Sequence, residues 1–206
     1  TSLFESLDGG RTWRGVQRPL AGHPAPLPIG HTTAAELTSS GHVGVIDSLG
    51  RAYIDTATGT SQDASLLTIS EPNRPLHGLH FTGSHWIACG AQGELITSLD
   101  GIHWSDAVVP LSPTAQRLCH WQAISQIGER IWVCGQPGSI VLTSDDCGST
   151  WQVRHTGQTL PLSALQFIDH NRGWATGPMG LVLATRDGGH SWYAQRSSAR
   201  RLGMLA

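Results

Sequence analysis

The chain has 206 residues, of which 39% are hydrophobic and 14% charged, with a formal net charge of −2. That length and composition suit one sizeable folded domain and exclude a disordered chain. The charge balance leaves no electrostatic footprint for nucleic acid, and no apolar run approaches the roughly 18 residues of a membrane-spanning helix.

Taken in chain order, the first readable element is a short box, SLDGGRTW at residues 6–13. A strand pair follows at 43–47 (VGVID) and 51–55 (RAYID), with a decayed box, DTATG, at 55–59. Next come runs at 79–81, 86–90 (WIACG) and 94–98 (ELITS), then a second box, SLDGIHW, at 98–104. The layout recurs at 123–125, 131–135 (IWVCG) and 140–144 (IVLTS), with the box SDDCGSTW at 144–151 and a polar run, QVRH, at 152–155. It recurs again at 165–169 (LQFID), 173–177 (GWATG) and 181–185 (LVLAT), with the box TRDGGHSW at 185–192. The final residues, RRLGMLA at 200–206, read as the opening strand of a further unit.

The box aspartates set the period. Asp100, Asp146 and Asp187 are 46 and 41 residues apart, and Asp8 lies 92 residues before Asp100, which is twice 46. Self-similarity at this spacing marks a repeat architecture in which each unit buries its apolar face on a neighbour. The runs are short, β-branched and punctuated by Gly, Asp and Pro, and no 3.6-residue period holds over ten or more residues. The expectation is an all-β protein, a β-propeller of four-stranded antiparallel blades. A solenoid of stacked hairpins is the alternative. Full repeats are placed at about 14–60, 61–104, 105–151 and 152–192, with partial repeats at 1–13 and 193–206. They make either a five-bladed ring, closed by the two partial units, or a part of a larger propeller.

The boxes resemble the Asp-box, or BNR, repeat. The longer phrase from LQFID at 165 through GWATG to the box ending at Trp192 is similar to the repeat of the photosystem II stability/assembly factor-like family. The resemblance covers nearly the whole chain and implies a propeller of about seven blades in the intact protein. It also implies boxes on the periphery, away from the ligand-binding face, and a bacterial extracytoplasmic location, periplasmic or secreted.

The residues themselves assign the boxes a structural task. An Asp at a hairpin tip accepts backbone N–H groups of its own turn, and a Ser or Thr two residues earlier does the same. Gly supplies the positive φ, and the terminal Trp packs back across the turn into the seam between blades. Asp8, Trp13, Asp100, Trp104, Asp146, Trp151, Asp187 and Trp192 are therefore read as structural. The decayed box at 55–59 predicts a looser hairpin there.

No catalytic residue, metal or cofactor is assigned. Sialidase chemistry needs a Tyr nucleophile with a Glu base, and the two tyrosines are Tyr53 and Tyr193, the latter on an outer strand. Glycosidase chemistry needs two facing carboxylates, and spacing pairs none of the remaining acids. Asp47 stands out because it takes the place of Gly90, Gly135 and Gly177 in the repeat. His77 and His80, three apart on a strand, face opposite ways. Cys89 and Cys134 share one repeat position and read as core residues; with Cys119 and Cys147 they complete no metal spacing, and an extracytoplasmic protein could hold a disulfide among them that the sequence does not pair.

What remains is a binding role. The turns at 47–50, 90–93, 135–139 and 177–180 recur at one place in the repeat and ring one face. Asp47, Arg51, Gln92, Gln136, Pro137 and Pro178 are the candidate partner-binding residues, with arginine as anchor and free backbone N–H groups in the turns. All thirteen basic residues are arginine. A protein partner is expected first and a glycan second, with no nucleic acid and no membrane span. The alternative is a glycan-binding or accessory domain of a larger carbohydrate-active enzyme.

Overall fold

The computed structural model describes residues 4–5, 8, 10–15, 32–37, 43–47, 49–54, 67–68 and 74–195. The chain divides into two compact units, Thr1–Asp106 and Ala107–Ala206.

The first unit opens with a hairpin, β1 (Phe4–Glu5) and β2 (Arg14–Gly15), which carries the first box at its tip. Two four-stranded antiparallel sheets follow. One is β3 (Thr32–Leu37), β4 (Val43–Asp47), β5 (Arg51–Ile54) and β6 (Leu67–Thr68). The other is β7 (Leu76–Phe81), β8 (Trp86–Gly90), β9 (Leu95–Ser98) and β10 (Ser105–Asp106). In each sheet the strands pair in sequence order, the meander of a propeller blade. The strand after a box pairs with the sheet that the box closes: Ser105 faces Thr97. The decayed box at 55–59 lies outside the described residues.

These two sheets bury Ile46, Ala52 and Ile54 against Leu76, Leu79, Trp86, Ala88 and Ile96, with Trp104 packed on the edge. Gly44 makes the packing feasible, because a Cβ there would come within 2.6 Å of the Trp86 ring.

The second unit begins with a one-turn helix, α1 (Pro113–Arg117). Its signal is local: Ser112 accepts the Ala115 N–H at 3.3 Å and Pro113 opens the turn. One sheet is β11 (His120–Ile127), β12 (Arg130–Gln136), β13 (Ile140–Ser144) and β14 (Gln152–His155). The next is β15 (Ala164–Phe167), β16 (Gly173–Thr176), β17 (Val182–Thr185) and β18 (Tyr193–Ala194). The partial repeat expected from residue 193 contributes β18 to this sheet, and residues 196–206 lie outside the described residues.

Between these sheets the Trp132 ring stacks on Phe167 at 3.6 Å, and Phe167 meets Trp192 edge-on at 6.0 Å. Gly173 leaves space for the Phe167 ring, 2.6 Å from where a Cβ would stand. Bonds between side chain and backbone add to the seam: Phe167 N–H donates to Ser125 Oγ at 3.0 Å, and Trp132 Nε1–H donates to the Gly188 carbonyl at 2.9 Å.

The second strands β8 and β12 are buried along nearly their whole length, which accounts for Cys89 and Cys134 having no exposure. A glycine at or next to the end of the second strand closely approaches the backbone at or before the start of the first strand. A Cβ at Gly90, Gly135 or Gly177 would sit 2.3, 2.0 or 2.2 Å from the carbonyl oxygens of Pro75, His120 and Pro161. Register shifts recur beside this approach, at Thr32/Ala34, Leu76/Gly78 and Trp121/Ala123. These are β-bulges early in the first strand, and the residue pattern did not announce them.

Candidate functional site

The described boxes lie at the tips of the hairpins β1–β2, β9–β10, β13–β14 and β17–β18. In the third, Asp146 Oδ1 accepts Thr150 N–H at 2.8 Å and Ser144 Oγ–H at 2.7 Å, while Oδ2 accepts Thr150 Oγ1–H at 2.6 Å. Ser144 Oγ in turn accepts Gly148 N–H at 2.7 Å. Asp187 repeats this with Ser191 and Thr185, and Asp8 bonds Thr12 N–H at 2.8 Å and its hydroxyl at 2.6 Å. The short second box substitutes an imidazole for the hydroxyl. His103 Nδ1 donates to Asp100 Oδ2 at 2.7 Å, and Oδ1 accepts the Ile102 and His103 N–H groups, each at 2.8 Å.

Hydrogen bonding favours the charged carboxylate. The His103 side chain, then the backbone bonds, hold Asp100 well below the usual carboxylate range. Partial burial pushes Asp187 up, but the Ser191 and Thr185 bonds outweigh it and leave the group at about 2. Asp146 is lowered in the same way, against the push of burial, by Thr150 and Ser144.

The box tryptophans are less uniform than expected. The indoles of Trp13, Trp104 and Trp192 donate to the carbonyls of Gly10, Gly101 and Gly189 at 3.1, 3.0 and 3.2 Å. Trp104 and Trp192 pack on the cores of their units. Trp13 is 65% exposed. Trp151 is buried, and its indole N–H meets no acceptor among the described residues. Second-strand Trp86 and Trp132 lie in the same seams, more deeply buried.

At the opposite end of each blade are the turns between second and third strands. Asp47 is buried, and its Oδ1 accepts the Leu49 and Arg51 N–H groups at 2.9 and 3.0 Å. Its Oδ2 accepts Arg51 Nε and Nη2 at 2.9 and 2.7 Å. The two candidate residues thus bind each other, which explains an Asp where other blades have Gly. Spacing alone paired no acids; the pattern Asp-x-x-x-Arg was the available signal. Asp169 and Arg172 form a shorter version at 2.6 Å, and Arg172 holds Asp169 down at about 2. Buried Glu94 pairs with Arg74 at 2.7 Å.

Gln92 and Pro178 occupy matching turns; Gln92 is exposed between buried Ala91 and Gly93, whereas Pro178, Met179 and Gly180 are all exposed. Glu94 N–H donates to Ala91 carbonyl, and Leu181 N–H to Pro178 carbonyl, each at 3.1 Å. The central residues have positive φ, +54° at Gln92 and +73° at Gly93, then +58° at Met179 and +72° at Gly180. Gln136 and Pro137 are exposed, but the remainder of their turn is covered. Gln158 Nε2 donates to the carbonyls of Gly138 and Leu160 at 3.0 and 2.9 Å, and Thr156 N–H donates to Ser139 carbonyl at 2.9 Å.

The expectation of free amides in these turns is corrected at several positions. Gly90 and Gly177 N–H groups donate to Glu94 and Leu181 carbonyls at 2.9 and 3.0 Å, and Ala91 N–H donates to Pro75 carbonyl at 2.9 Å. Side chains at the tips are therefore the principal polar groups offered. Among the described residues no group of three or more His, Cys, Asp or Glu is placed to hold a metal ion. Among the described residues no helix is long and apolar enough to cross a membrane.

No protein-family profile matches the chain. It is 22% identical over 194 residues to the photosystem II assembly lipoprotein Ycf48 of Picosynechococcus sp., covering 88% of this chain and 52% of that protein. It is likewise 22% identical over 191 residues to Ycf48 of Prochlorococcus marinus, covering 88% and 53%. Among solved structures it is similar to Ycf48 bound to D1 peptide, with TM-score 0.51, 20% identity, and 58% and 38% of the two chains covered. It is also similar to the β-propeller domain of Cps50 (Swd1) from Myceliophteria thermophila, with TM-score 0.57, 14% identity, and 76% and 51% covered. The chain spans about half the length of the curated relatives it matches. Its fold is that of a β-propeller, and its sequence relatives at low identity are the Ycf48 assembly proteins.

Proposed function

We propose that the chain is a non-catalytic interaction scaffold that holds a peptide segment of a partner protein during assembly. The observation that carries this reading is the similarity, over 88% of the chain, to Ycf48 assembly proteins, one of which has been solved with a D1 peptide bound. The boxes are Asp-box (BNR) repeats with a structural role, since their carboxylates are occupied within their own hairpins. The lipoprotein name of the relatives supports an extracytoplasmic location.

The partner meets the ends of the blades that carry the turns at 47–50, 90–93, 135–139 and 177–180. Gln92, Gln136, Pro137 and Pro178 offer exposed contact there. Asp47 holds Arg51 in one orientation with its side chain 21% exposed, so the guanidinium reaches a partner carboxylate without a large ordering cost.

The test is fluorescence anisotropy with a labelled D1 peptide and the 206-residue chain, beside hydrolysis assays on sialosides and β-glucans. Saturable peptide binding without turnover is the expected result. Absence of binding, or robust hydrolysis abolished by one carboxylate substitution, overturns the reading.

A further inference from the structure

The second unit has an open cleft of about 400 Å³ at its box end, lined by Gly128, Glu129, Arg130, Asp145 and His170. We propose that this cleft receives a basic side chain, the ammonium or guanidinium group of a partner protein. The proposal does not rest on the partner-binding turns proposed above, which lie at the other end of the blades.

The walls come from two neighbouring blades and are tied together. Gly128 and Glu129 form the turn between β11 and β12, Asp145 follows β13, and His170 lies between β15 and β16. Cys147 N–H donates to Glu129 carbonyl at 2.8 Å, and Gly188 N–H to Asn171 carbonyl at 2.9 Å. Gly128, at φ +59°, leaves room for the imidazole: a Cβ there would stand 3.2 Å from His170 Cε1. Gly188 likewise leaves room for Arg130, whose Nη1 would be 2.7 Å from a Cβ.

The chemistry of the lining selects the ligand. Arg130 is the cation of the cleft, and it is already engaged. Its Nε pairs with Asp145 Oδ1, its Nη1 donates to His170 carbonyl at 3.2 Å, and its guanidinium lies 5.9 Å from the centre of the Trp132 ring. The Glu129 carboxylate and the His170 ring have no hydrogen-bond partner among the described residues. Beside the remaining N–H groups of Arg130, the cleft presents acceptors to a newcomer: Glu129, the second oxygen of Asp145 and a ring nitrogen of His170. An anion would meet two carboxylates. A metal ion finds no group of three ligands in place. A cationic group on a flexible stem can reach the carboxylates while its methylenes lie along the wall.

The test follows the His170 ring by NMR at neutral pH in the 206-residue chain during titration with Nα-acetyl-lysine methylamide. The uncharged norleucine analogue and zinc chloride serve as comparison ligands. The expected result is a saturable shift of the His170 ring with the lysine probe and none with norleucine. Glu129→Gln should weaken lysine binding by about threefold or more, the scale of one surface charge pair. That variant keeps the fold, because the Glu129 side chain is exposed and only its carbonyl is bonded. No shift with lysine, an equal shift with norleucine, unchanged affinity in Glu129→Gln, or a stoichiometric zinc response in place of a lysine response each overturns the proposal.

Discussion

Trp132 and Phe167 lie face to face across two blades, 3.6 Å apart and 7° from parallel, both buried. Neither is a box residue. This pair, with Trp192 edge-on, joins the two sheets of the second unit. Trp132→Ala should cost about 3–5 kcal/mol, the range for deleting a buried aromatic. Trp132→Phe keeps the stacking and loses the bond to Gly188 carbonyl, at about 1 kcal/mol. Denaturant unfolding checks both. Equal losses would mean that the indole N–H, and not the ring contact, holds the seam.

The boxes make a separate prediction. Asp146→Ala removes three accepted bonds from an exposed hairpin. The expected loss is about 1–2 kcal/mol, with peptide binding by the folded protein unchanged. Because the folded carboxylates are depressed, their contribution is present in full above the unfolded value. It is lost as pH falls from about 4, the ordinary carboxylate range, through the folded value, about 2 for Asp187. Exposure to solvent screens each contribution. A melting-temperature profile between these limits, flattened in Asp187→Ala, checks the sign.

Residue patterns carried the repeat itself: the boxes gave the period, and the apolar runs gave the strands. The seam was not legible, because Trp86 and Trp132 look like any strand tryptophan until the neighbouring Phe or Gly is in place. The Asp47–Arg51 and Asp169–Arg172 pairs were written as short spacings, but their meaning depends on a turn that folds the Arg back onto the Asp. The cover over the 135–139 turn depends on Gln158, a polar residue in a connector with no periodic mark. The one-turn helix α1 is too short to show a period, although Ser112-Pro113 signals its start.

The cysteines should separate by reactivity. Burial pushes the Cys134 thiol up to about 12 and raises Cys119 as well. Cys147 is partly exposed in its turn. Iodoacetamide at mildly alkaline pH should label Cys147 first in the native chain, with Cys89 and Cys134 labelled only after unfolding. Rapid native labelling of Cys134 would contradict the buried second strand.

Backbone strain in the turns gives a stabilising substitution. Met179 has φ +58° and is 92% exposed, so its side chain has little packing to lose. Met179→Gly should stabilise the protein by up to about 1 kcal/mol, since glycine adopts this conformation without strain. A fall in stability would show that the methionine has a packing role.

The scaffold reading is tested most directly by hydrogen exchange of the 206-residue chain with and without saturating D1 peptide. The account predicts slowed exchange in the turns at 47–50, 90–93, 135–139 and 177–180, with the box hairpins unchanged. Slowing confined to the boxes at 98–104, 144–151 and 185–192, or no slowing at all, would contradict it.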